Sequence, residues 1–256
     1  MQCSQPLAGV PFTIEPHSYV LGGIDSLLCD VLLILSEIPN RNTKKDTRIV
    51  LAIDETDRSK ALKVVSDVKD SIDAVKINWP LILSAGPEMI TELSKLTDVI
   101  CDLKVADIPN TVRLIVEGAV SRGASAVIVH AFTGEDSMKA AVDASGNAEI
   151  YAVTEMSHPG GMTFTAKHAE EMAEIGVKCN VDGFIAPATR PERIADIRKI
   201  IGDRKILSPG VGAQGGSASS AISAGADYVI VGRAIYDSPE PRKVASDIVK
   251  EIRSVL

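Results

Sequence analysis

DVICDLKVADIP, residues 98–109, places a strand, a charged tip and a helix start one after another. Val99 and Ile100 are β-branched, which suits an extended, pleated backbone. Asp102 and Lys104 then put charge where the apolar run would otherwise continue. Two residues apart on a strand, they share a face and lie ~7 Å apart along it. Asp107 follows where the chain turns, which completes Asp-x-Lys-x-x-Asp, one lysine between two carboxylates. Pro109 is a favoured first-turn residue, so a helix is expected from there to Arg122.

The same unit recurs on both sides. Upstream, IVLAI (49–53) and AVKI (74–77) read as strands. A helix over 58–70 carries Ala61, Leu62, Val65 and Val68 on one stripe, and further helical residues run to about Leu96. Downstream, SAVIVH (125–130), EIYAVT (149–154), GFIAP (183–187), KILS (205–208) and DYVIVG (227–232) read as strands four to eight. Helices are expected over 135–144, 164–176, 191–201, 217–224 and 240–254. Strands alternating with helices predict a parallel sheet. Eight such units close into a (β/α)8 TIM barrel, an α/β single domain of about 250 residues. The open Rossmann alternative wants GxGxxG after the first strand, whereas Asp54-Glu55-Thr56-Asp57 stands there.

The composition fits such a barrel. Hydrophobic residues make up 45% and aromatics 4% of 256 residues, so Val, Ile, Leu and Ala must fill the core. The net charge of −7 and the lack of a basic run argue against nucleic-acid binding, which needs a cationic footprint. Cys3, Cys29, Cys101 and Cys179 show no metal-type spacing and read as reduced thiols of a cytoplasmic protein. The apolar stretch from Tyr19 to Pro39 contains Asp25, Asp30 and Glu37, too many carboxylates for a membrane span. Residues 1–47 are expected to form an N-terminal extension outside the catalytic fold, and residues 48–256 the barrel.

Active groups of this architecture sit at the C-terminal ends of the strands. Asp54 ends strand one, Lys76 lies on strand two, and Asp102, Lys104 and Asp107 follow on and after strand three. Buried charges are costly, so such a cluster points to function more than to a structural ion-pair network. SPGVGAQGG (208–216) follows strand seven and VGRAIY (231–236) follows strand eight, the two loops that recurrently hold phosphate in this fold. Glycines let backbone N–H groups approach an anion, and Arg233 can fork two of its oxygens. After strand five, TEMSHPGG (154–161) offers Ser157, either to a ligand ring or as a turn cap. His130 and His158 have no metal-spaced partner and read as structural.

Together DLKVADIP (102–109), VKINWPL (75–81), TEMSHPG (154–160), SPGVGAQGG and VGRAIY closely resemble archaeal-type orotidine 5′-phosphate decarboxylases, from about Arg48 onward. Asp-x-Lys-x-x-Asp alone is shared by other decarboxylases and aldolases of the same barrel suprafamily. Its combination with Lys76, Ser157, Gln214 and Arg233 is more specific. The resemblance implies cofactor-free, metal-free decarboxylation of orotidine 5′-monophosphate (OMP) to UMP, the last step of pyrimidine nucleotide synthesis. It implies that Lys104 protonates C6 and that Asp102 lies beside the departing carboxylate. Lys76 and Asp54 would hold the charge network and the ribose hydroxyls. Asp107, Ile108 and Thr111 would reach across from the partner of a homodimer. Ser157 and Gln214 would meet near the pyrimidine and the phosphate. Pro209, Gly210, Val211 and Gly212 would belong to the closing loop, and Gly232 and Arg233 would grip the phosphate. Asn78 and Trp79 depart from the Gly and Tyr of many such proteins, and Thr133 from a common Pro. Mg2+-dependent sugar-phosphate decarboxylases and hexulose-phosphate synthases of the suprafamily carry an acidic ligand near strand two, where this chain has Lys76.

Overall fold

The computed structural model describes residues 46–256. The segment 1–45, most of the expected extension, lies outside the described residues. Eight parallel strands close into a barrel in sequence order: β1 Ile49–Ile53, β2 Ala74–Asn78, β3 Asp98–Val105, β4 Ala126–His130, β5 Glu149–Val153, β6 Gly183–Ile185, β7 Lys205–Val211 and β8 Tyr228–Val231. β8 pairs with β1, Ile49 opposite Val229, so no strand edge is left open.

The strands alternate between two apolar environments. Ile49, Leu51 and Ile53 of β1 pack outward against the helices, while Val50 and Ala52 point inward. The inner cluster holds Ala74, Ile100, Ala126, Ile128, Val153, Ile185, Leu207 and Ile230 as well. Burial on both faces explains why the strands read as nearly continuous hydrophobic runs. Tyr151 joins the inner cluster, and its hydroxyl donates to Glu149 at the start of β5, which also pairs with Lys205 at the start of β7. Aliphatic layers therefore fill the barrel up to the C-terminal ends of β2, β3 and β4. There the inward positions become Lys76, Asp102 and His130.

Several boundaries move, each for a local reason. The helical stretch expected to reach Leu96 is two helices, Trp79–Ala85 and Glu88–Ser94. Gly86 takes φ +88° and Pro87 follows it, which ends the first helix. The helix expected from 164 starts at Ala169, after two 3-10 turns. β7 runs through Pro209 to Val211, so half of the glycine-rich segment belongs to the sheet, with a register shift at Pro209/Val211. A short helix, Arg233–Tyr236, occupies what the sequence suggested was a loop. Thr47 is tied to the barrel: its N–H and Oγ1 donate to Asp73 at 3.1 and 2.9 Å, and Arg48 N–H donates to the same carboxylate at 2.6 Å.

Candidate active site

β2 and β3 lie side by side, with Lys76 opposite Ile100 and Asn78 opposite Asp102. This register brings Lys76 Nζ to 2.8 Å from Asp102 Oδ2. Lys104 Nζ lies 2.7 Å from Asp102 Oδ1 and 2.8 Å from Oδ2. A flat strand would hold Asp102 and Lys104 farther apart. Here the ladder with β4 slips between Cys101 and Val105, and Lys104 adopts φ +45°. A left-handed backbone is unfavourable for a side chain with a Cβ. It turns the lysine back onto the carboxylate, and strain of this kind concentrates at functional sites.

The charge order differs from the one expected. Within the chain it is a carboxylate between two lysines, not a lysine between two carboxylates. Asp107 is exposed and turned away; its carboxylate accepts from Ile108 N–H at 2.7 Å. The side chains of Lys76 and Asp102 are each 7% exposed and that of Lys104 is 36% exposed. Burial by itself would raise the Asp102 pKa, but attraction to Lys76 and Lys104 outweighs it and holds the carboxyl below its ordinary range. His130 stands nearby. Burial, followed by repulsion from the Lys104 ammonium, pushes it down to about 4, against the pull of Asp102. It is therefore neutral near pH 7, and its Nδ1 is buried without a partner.

Lys76, Asp102 and Lys104 form the floor of a cavity of about 240 Å³ at the C-terminal end of the barrel. Asp54, Ser157, Pro209, Gly210, Val211, Gln214, Gly232 and Arg233 line it together with Lys76, Asp102 and Lys104. Arg233 has no ion-pair partner among the described residues, which leaves its fork available to an anion. Gly210 at φ +106° and Gly212 at φ +75° shape the loop after β7. A Cβ on Gly210 would stand 3.0 Å from Thr189 Cγ2, so a larger residue would crowd this turn. Gly212 is not part of the wall; its N–H donates to Gly216 O at 3.0 Å and closes the turn. Asp107, Ile108 and Thr111 do not line this chain's own cavity. Ile108, 66% exposed, presents its side chain to the outside.

Two features escaped the sequence reading. Glu155, fully buried at the cavity wall, pairs with Arg190 Nε at 2.7 Å and Arg193 Nε at 3.0 Å. Arg190 also donates to Met156 O at 2.6 Å, which anchors the loop carrying Ser157. The spacing of Arg190 and Arg193 was visible, but the partner more than thirty residues away was not. Asn78 is the other: its Nδ2 donates to Asp54 Oδ1 at 2.7 Å. Asp54 is thereby held by Asn78, with no bond to Lys76. Among the described residues no group of three or more His, Cys, Asp or Glu side chains is placed to hold a metal ion, and no helix is long and apolar enough to cross a membrane.

The model of the Orotidine 5′-phosphate decarboxylase / HUMPS family matches residues 47–248. The chain belongs to this family. Among its relatives, the orotidine 5′-phosphate decarboxylase of Methanosarcina mazei is 50% identical over 216 residues, 83% of this chain and 98% of the relative. That of Pyrococcus furiosus is 47% identical over 208 residues, 80% of this chain and 97% of the relative. Among solved structures, the Methanocaldococcus jannaschii decarboxylase complexed with inhibitor BMP aligns with TM-score 0.76 at 44% identity, covering 80% of this chain and 97% of that one. The Pyrococcus horikoshii decarboxylase aligns with TM-score 0.75 at 48% identity, covering 80% and 99%. Within this family fold, Lys76 lies on β2, Asp102 and Lys104 on β3, and Arg233 starts the short helix after β8.

Proposed function

We propose that this chain is a carboxy-lyase that converts OMP to UMP, with Lys104 as the group that meets and protonates C6. The observation that carries the reading is the Lys76–Asp102–Lys104 triad at the floor of the cavity, beneath an unpaired arginine at its rim.

The chemistry explains why such a triad is useful. Breaking the C6–carboxylate bond leaves an electron pair on C6, in the ring plane, where no carbonyl can delocalise it. A fixed ammonium close to that carbon stabilises the charge. Lys104 then gives its proton to C6 and becomes a neutral amine, which solvent recharges. Asp102 beside the substrate carboxylate adds repulsion that is relieved as CO2 departs. It also orients both ammonium groups. The acceleration required is on the order of 20 kcal/mol, more than one lysine supplies. Binding energy from the phosphate, gripped by Arg233 and the loops after β7 and β8, makes up part of the remainder. Closure of the loop near Gln214 over Ser157 and the ring would exclude water.

A homodimer fits the position of Asp107, Ile108 and Thr111: they face outward from their own cavity and so can serve a partner's site. Two ammonium groups saturate Asp102, which opposes the Mg2+ chemistry of other suprafamily enzymes. Incubation of purified protein with OMP tests the reading. The OMP absorbance should decay to that of UMP and be unaffected by EDTA; no decay, or loss on chelation, refutes it. Mixing Lys104→Ala with Asp107→Ala protein should restore about a quarter of wild-type activity, because one site of each mixed dimer is intact. No recovery would place Asp107 in its own chain's site.

A further inference from the structure

We propose that Asn78 is a positioning residue that fixes Asp54 for the ribose hydroxyls and so sharpens selection of nucleotides that carry those hydroxyls over dideoxynucleotides that lack them. The proposal rests on the reading of Asp54 as a ribose ligand given above.

Local structure does not account for Asn78. It is the last residue of β2 and the cap of the helix Trp79–Ala85, with φ −140° and ψ −173°. Asparagine is favoured at such a position because its side-chain oxygen accepts a backbone N–H of the first turn. Here it makes no capping bond. Its Oδ1 is buried without a partner, which costs folding free energy. The amide is instead committed to Asp54, Nδ2 to Oδ1 at 2.7 Å. Rotating the amide by half a turn would set its oxygen against the carboxylate, so the bond fixes which atom is which.

Asp54 needs such a partner. It sits exposed at the tip of β1, on the cavity wall, and Asn78 is the only hydrogen-bond partner it has among the described residues. A free carboxylate there must lose rotamer freedom when a ligand hydroxyl donates to it. Held by Asn78, it has given up that freedom beforehand, with Oδ2 left to accept from the sugar. The cost of the stranded Asn78 carbonyl is the counterpart of this preorganisation. A glycine at this position could not supply it.

The test is calorimetric binding of UMP and of 2′,3′-dideoxy-UMP to the full chain and to its Asn78→Ala and Asn78→Gly variants. UMP binding should weaken about fivefold in both variants, the loss expected for one side chain that must now be immobilised on binding. Dideoxy-UMP binding should be unchanged, which also shows that the cavity is intact. In an Asp54→Ala background, Asn78→Ala should add nothing. Equal weakening of both ligands, or of neither, overturns the role of Asn78. A wild-type chain that binds no UMP overturns the proposed function instead, so the two failures are distinguishable.

Discussion

Replacing Lys104 separates its chemical role from its structural one, because the two respond differently to alanine and glycine. Lys104 pairs with Asp102 at 2.7 Å, yet its side chain is 36% exposed. Screening by water reduces that pair to about 0.5–1 kcal/mol of stability. Asp102 keeps Lys76 at 2.8 Å in either variant, so no buried charge is abandoned. Lys104→Ala should lower Tm by about 2–4 °C, the shift that about 1 kcal/mol produces in a domain of this size. Lys104→Gly loses the same ion pair but relaxes the left-handed backbone at φ +45°. That relief is about 1 kcal/mol, enough to bring the glycine variant back near the wild-type Tm. Activity should vanish in both. Loss of the acid and of its preorganised charge together predicts roughly a 10⁴–10⁷-fold fall in kcat/KM. Differential scanning calorimetry and the OMP absorbance assay read the two effects separately. An alanine variant within about a hundredfold of wild type refutes the catalytic assignment, since a general acid alone contributes that much. A glycine variant that melts below the alanine variant refutes the strain argument.

Arg233→Ala should weaken UMP binding by about 10–100-fold, the equivalent of one charge-assisted hydrogen bond, and leave uridine binding unchanged; equal losses in titration calorimetry would put the phosphate elsewhere. Glu155→Ala removes the carboxylate shared by two guanidinium groups whose side chains are 17% and 20% exposed, leaving Arg190 its bond to Met156 O and Arg193 its longer pairs with Glu170 and Asp196. It should cost about 1.5–3 kcal/mol and drop Tm by about 5–10 °C, whereas a fall under about 2 °C would mean the Glu155–Arg190–Arg193 cluster is idle. His130 takes up protons in the unfolded chain near its ordinary 6.5 but in the fold only at about 4. Its contribution to stability is therefore fully present above pH 6.5 and is lost as pH falls toward 4. His130→Gln should flatten the decline of Tm over that window; an unchanged slope assigns the decline to other groups.

The eight-unit alternation, the closing of the barrel and the strand tips that bear charge were legible in the chain, because each depends on local periodicity. The period of two puts Val50 and Ala52 on one face of the first strand and Ile49, Leu51 and Ile53 on the other, but an all-apolar run left open which face points inward. The glycine-rich segment at the seventh strand and Arg233 after the eighth pointed to the rim of the cavity, because glycine has a direct backbone meaning and both fall at strand ends. What the tertiary structure decided was pairing. Lys76 meets Asp102 only because β2 and β3 lie in a particular register, and Lys104 joins them only because the ladder slips and φ turns positive. Glu155 finds Arg190 and Arg193 through a contact between distant segments, and Asn78 finds Asp54 across two strand tips. Sequence spacing carries the identity and the face of a charged residue. Which oppositely charged atom it touches depends on register and backbone twist, and these emerge only when the closed sheet fixes every strand against its neighbours.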